Sequence, residues 1–165
     1  MEHFTRNKWN FQADEARLAL HTSFRISNGT VPCAVVVDGS DDFIQFASFL
    51  PFAVPPERRP AAGELCVWLS SSLKMGRFDL NHETGEVRFH TYAVYPKGEL
   101  NEDVIRRVVG VNLALVDRHF LAFTATLYAN ALPAVAALQT GVNPGVAAPP
   151  GTPPQLELHR RINLN

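Results

Sequence analysis

Apolar and polar residues alternate through the first half of the chain and recur every three or four residues in much of the second, and this change of period sets the expected order of elements. Leu18, Leu20, Phe24 and Ile26 fall on one side of an extended segment from Leu18 to Asn28. Asn28-Gly29 tolerates the positive φ of a tight turn, so Ala34 to Val37 is expected to return beside the first strand. Asp38 to Asp42 should reverse the chain again into a third strand, Phe43 to Leu50. Pro51, Pro55, Pro56 and Pro60 remove backbone donors and fix φ, which predicts a stiff extended connection without helix from Pro51 to Pro60. Leu65, Trp68, Leu69 and Leu73 then stand at helical spacing, with Pro60 suited to the first turn. Past Gly76, residues 77–80 and 86–94 are expected to pair as a hairpin across Asn81 to Gly85.

Asn101, followed by Glu102 and Asp103, offers an N-cap with acids in the first turn. Ile105, Val108, Val109, Asn112, Val116, Phe120, Phe123 and Leu127 then give one apolar face to a helix reaching about Asn130. Such a helix would be about 45 Å long, so part of it is expected to project, and Gly110 should mark close packing or a bend. Pro133 ends or kinks it, with Ala134 to Leu138 adding one further turn. At the other end, Phe4, Trp9 and Phe11 suggest a short arm or helix pinned to the body by aromatics. Residues 140–154 hold five prolines and three glycines and read as an extended linker, so the domain is expected to span residues 1–139. Residues 155–165 read as a docking strip or a frayed tail.

Composition narrows the function classes. The 165 residues are 46% hydrophobic and 19% charged, enough to bury one core, and the net charge of −1 gives no overall field for nucleic acid. No stretch approaches the ~18 unbroken apolar residues of a membrane span, and the polar start lacks a signal-peptide core, so no membrane partner and a cytoplasmic location are expected. Cys33 and Cys66 lie far apart and the six histidines never adopt zinc-site spacing, so neither a disulfide nor a metal or other cofactor is expected. His90 and His119 read as structural residues. Ser70-Ser71-Ser72 has no nucleophile elbow around it and reads as solvated helix end. Asp38, Asp41 and Asp42 read as turn residues, without the period of a calcium loop. Arg58-Arg59 and Arg106-Arg107 have acids nearby to meet them.

The succession matters more than any single motif: a strand meander, the bridge V-P-P-E-R-R-P, the helix G-E-L-C-V-W-L, the hairpin from Gly76 to Tyr92 opening G-R-F-D-L-N, and the long helix containing Val116-Asp117-Arg118. Over about residues 9–132 this order resembles the YbjN family of bacterial proteins, whose fold is that of the type III secretion chaperones. The resemblance implies an α+β domain with a strongly twisted antiparallel sheet, helices packed on one side and no catalytic residues. It further implies homodimerisation and the binding of a protein or peptide client along exposed apolar surface, with Trp68, Phe120 and Phe123 as candidate contacts. Core packing is the competing and favoured reading of each aromatic. Dedicated secretion chaperones are more acidic than this chain and lack its proline-rich extension, so that narrower label is not adopted. The expected function is a non-enzymatic protein-binding module, chaperone-like or regulatory. The alternative is a small-molecule sensor or carrier with a pocket between sheet and long helix.

Overall fold

The computed structural model describes residues 11–14, 19–38, 42–95 and 100–141. Within them six strands, β1 (Phe11–Asp14), β2 (Ala19–Ile26), β3 (Gly29–Asp38), β4 (Phe43–Ala53), β5 (Arg77–Leu80) and β6 (Glu86–Val94), form one sheet in the order β1-β2-β3-β4-β6-β5. Every neighbouring pair is antiparallel, a meander joined to a hairpin. Three helices, α1 (Arg59–Ser72), α2 (Glu102–Tyr128) and α3 (Pro133–Gln139), complete an α+β fold. The arm at Phe4 and Trp9, the reversal at residues 39–41, the break at 96–99 and residues 142–165, with nearly all of the expected linker and strip, lie outside the described residues.

Period-two burial explains why the helices gather on one side. Val31, Cys33 and Val35 of β3, Ile44, Phe46, Ser48 and Leu50 of β4, and Val87, Phe89 and Thr91 of β6 are buried and share one face of the sheet. Onto it α2 lays Ile105, Val108, Val109, Val116, Phe123 and Leu127, while α1 contributes Ala62, Leu65, Cys66 and Leu69. Burial runs the whole length of α2, so the expected projection is absent: the helix lies against the sheet and then against α3. By length and composition alone α2 could cross a bilayer, yet here its apolar face is spent on the core.

Several local expectations shift. The first hairpin turns on Ser27-Asn28, with Ile26 paired to Gly29 and neither central residue at positive φ. β3 contains Pro32 because, beyond Cys33, the strand has run past its β4 partner. The Pro51 to Pro60 stretch is not uniformly extended: β4 continues through Pro51 to Ala53 across an irregularity, and Pro56–Arg58 forms a 3-10 turn leading into α1. Proline fits there because the first turn of a helix needs no donor at that position. Gly110 faces open space, with nothing where a Cβ would point, so it marks neither close packing nor contact. Asn101 caps α2 as expected, its Oδ1 accepting from Val104 N at 3.1 Å.

Candidate partner-binding surface

Three consecutive residues of α2 organise the region in which a contact surface is exposed. Val116 is buried in the core. Asp117 takes the turn after β2: its Oδ1 accepts from Asn28 N at 3.2 Å and from Asn28 Nδ2 at 2.8 Å, and its carbonyl accepts from Asn28 Nδ2 at 3.1 Å. Hydrogen bonds from the Ser27 hydroxyl, and then from Asn28, hold its carboxyl below the usual carboxylate range. Arg118 reaches the other way, Nε donating to Thr140 O at 2.7 Å. His119 follows, its Nδ1 2.8 Å from Thr140 Oγ1. Because that hydroxyl donates to Ala137 O at 2.8 Å, Nδ1 is the donor and Nε2 is left a buried acceptor without a partner among the described residues. Burial, assisted by Arg118, pushes the His119 pKa down to about 4. The helix thus ties the sheet's first hairpin to the end of α3.

A polar pin crosses the core one helical turn earlier. Ser48 Oγ donates to Asn112 Oδ1, and Asn112 Nδ2 approaches Phe46 O, Phe89 O and Thr91 Oγ1 at 3.0–3.1 Å. Thr91 in turn donates to Val108 O at 3.0 Å. Cys33 lies 3.3 Å from Ser48, its thiol pushed up to about 11 by burial, and Cys66 is driven to about 12 for the same reason. Both cysteines are free, and such thiols are inert packing groups at neutral pH. The interval between sheet and α2 is filled by this network and by Val35, Phe46, Phe89, Val108 and Phe123.

The three candidate aromatics divide. Phe123 is fully buried against Phe78, ring centroids 5.2 Å apart, and Phe120 is buried in an edge contact with Phe52 at 5.8 Å. Only Trp68 retains an exposed flank, half-buried beside the core with Nε1 donating to Glu64 Oε1 at 3.3 Å. The residues that do face solvent were not singled out from the sequence. Leu121 and Tyr128 on α2, Leu132 before α3, and Val135 and Leu138 on α3 are 45–69% exposed, five of the nine exposed large hydrophobics among the described residues. Their signal was present: Leu121 and Tyr128 are apolar positions seven apart that lie off the helix's core face. A groove of about 340 Å³, walled by Leu121, Ala122, Ala136 and the Arg118, Gln139 and Thr140 side chains, runs between α2 and α3.

Other sequence-marked groups have structural partners. Ser70 Oγ accepts from Phe78 N at 2.9 Å and lies 3.4 Å from Phe78 O, so it caps the β5 edge rather than standing in solvent. Arg59 is met by the Val54 and His82 carbonyls at 3.3 and 2.8 Å, not by an acid, whereas Arg106 pairs with Glu102 at 2.7 Å as expected. Among the described residues no three His, Cys, Asp or Glu side chains converge in a way that could hold a metal ion.

A protein-family model described as "Putative bacterial sensory transduction regulator", that of YbjN, matches residues 1–125. No curated protein matches the chain. Among solved structures, the chain is similar to the crystal structure described as "YbjN, a putative transcription regulator from E. coli", at a TM-score of 0.53 and 13% identity over 70% of this chain and 82% of that one. A second similar structure is the HopA1-SchA chaperone-effector complex, at a TM-score of 0.43 and 16% identity over 71% and 85% of the two chains.

Proposed function

The chain belongs to the YbjN family, and from that premise we propose that it is a non-enzymatic protein-binding module, chaperone-like or regulatory, acting in the cytoplasm as a homodimer with a protein or peptide client. The observation that carries the reading is the exposed apolar set Leu121, Tyr128, Leu132, Val135 and Leu138, concentrated in one helical hairpin. Isolated exposed apolar residues are ordinary, but five within eighteen positions form the kind of surface that soluble proteins cover with a partner. Trp68, with one flank in solvent, remains a candidate contact, whereas Phe120 and Phe123 are buried against Phe52 and Phe78. The regulatory description of the family is in keeping with binding rather than turnover.

Light scattering at micromolar concentration tests the dimer, with a mass twice the 18.2 kDa of one chain as the expected result. Leu121→Glu/Leu138→Glu should reduce that mass to one chain and abolish retention of an identified client, with secondary structure unchanged. A wild-type monomer that retains no client, or turnover of some compound by purified protein, would contradict the reading. The sensor alternative loses its expected location, because the space between the sheet and α2 is filled by core side chains.

A further inference from the structure

The sheet face away from the helices carries a polar cluster built across three strands. Register sets Gln45 beside Tyr92, Phe43 beside Val94 and Arg77 beside His90, all directed to that side. His90 is enclosed there with no helix among the described residues above it, its side chain only 12% exposed. Its Nε2 lies 3.3 Å from Asp79 Oδ2 and its Nδ1 lies 2.6 Å from Gln45 Nε2. An ionised carboxylate only accepts, so Nε2 carries the proton and Nδ1 accepts from the Gln45 amide. Asp79 Oδ2 also accepts from Arg77 Nε at 3.1 Å. This chain of contacts orients Arg77 through one nitrogen, and its terminal nitrogens make no bond to the described residues. Beside it the Phe43 and Tyr92 rings stack, centroids 6.0 Å apart and planes 29° from parallel. Phe43, Gln45, Arg77, His90 and Tyr92 together line a cleft of about 190 Å³.

We propose that this cleft binds a planar aromatic carboxylate, the ring against Phe43 and Tyr92 and the carboxylate on the outer edge of the Arg77 guanidinium. A guanidinium held at Nε presents its remaining donors as a fork matched to two carboxylate oxygens. The flat aromatic wall accepts a ring by offset stacking. The volume lies below the roughly 300–1,000 Å³ of drug-sized sites, so it admits one ring with its carboxylate and excludes a nucleotide. Asp79, the acid in contact with the cluster, is engaged by Arg77 and His90, which leaves the guanidinium's outer edge to the ligand. The site uses the face opposite the helical hairpin and goes beyond the protein-binding reading, so either can fail without the other.

The test is a titration of the full chain at low salt with benzoate, followed by nuclear magnetic resonance, with acetate supplying charge without the ring and benzamide the ring without charge. Benzoate should saturate and shift the signals of Gln45, His90 and Tyr92, while acetate and benzamide bind at least about tenfold more weakly, the loss of one charged hydrogen-bonding group or of the ring. Arg77→Gln and Tyr92→Ala, both at exposed side chains, should each weaken benzoate by a similar factor while the unliganded protein keeps its secondary structure. Shifts that rise linearly without saturation, equal response to acetate, or undiminished benzoate binding in Arg77→Gln would each overturn the proposal.

Discussion

Asn112 stands where the apolar face of a long helix would ordinarily carry a leucine, and it is fully buried. It is tolerated because its amide is met by two strand carbonyls and two hydroxyls, which fixes α2 at one height over β4 and β6. Asn112→Ala should cost on the order of 2–4 kcal/mol in urea unfolding, since it removes the acceptor of the Ser48 hydroxyl and leaves a void. Asn112→Leu should lose less than the full amount but weaken near-ultraviolet dichroism, the sign of a helix no longer held in register. The residue's place on the core face was legible from its spacing, whereas its partners, 21 to 66 positions away, depend on strand register that spacing alone does not give. His119 offers a second test. Its folded pKa of about 4 lies below the ordinary 6.5, so the unfolded chain binds the extra proton and stability rises with pH across that window. It is complete above about pH 6.5 and lost as pH falls towards 4, on the order of 3 kcal/mol in all. His90, lowered chiefly by burial, acts in the same direction. Urea midpoints of wild type and His119→Gln between pH 7.5 and 4.5 should converge as pH falls, and parallel curves would refute the assignment.

At the scale of elements, the hairpin from Gly76 to Tyr92 explains its own sequence. Gly76 and Gly85 both sit at positive φ, and a Cβ at either would collide with backbone, the His90 carbonyl in one case and Val54 in the other. Phe78 and Leu80 face inward, and Asn81 Oδ1 closes the turn by accepting from Glu83 N and Thr84 N at 2.9 and 3.2 Å. Gly85→Ala should therefore destabilise by at least about 2 kcal/mol, combining strained φ with displacement of the chain at Val54. Gly110→Ala should do the reverse: nothing crowds the site, it is exposed in mid-helix, and a gain of about 0.5–1 kcal/mol in thermal or urea unfolding is expected. These elements were legible because alternation, helical spacing and turn residues agreed locally. The extension of β4 through Pro51 and the 3-10 turn at Pro56 were not, since proline content fixes φ without saying which neighbours supply the remaining hydrogen bonds. Ser70 was misread for a similar reason: only the tertiary approach of α1 to β5 gives its hydroxyl a backbone to cap.

For the molecule as a whole, the layer of helices on one sheet face follows from which strand positions are apolar, and that arrangement was expected from the resemblance. The surface was harder to read. Phe120 and Phe123 share the periodic stripe that buries α2, so the same spacing that built the helix removed them from solvent. Leu121, Tyr128, Val135 and Leu138 sit off any such stripe, and their exposure emerges only when α3 folds back along α2. The central claim is that this hairpin is covered by protein when the molecule works. Hydrogen–deuterium exchange compared at dilute and at high micromolar concentration tests it most directly. The account predicts concentration-dependent protection in the C-terminal half of α2 and in α3, removed by Leu121→Glu/Leu138→Glu. Exchange that is independent of concentration throughout, or protection confined to the sheet while the hairpin stays open, would contradict it.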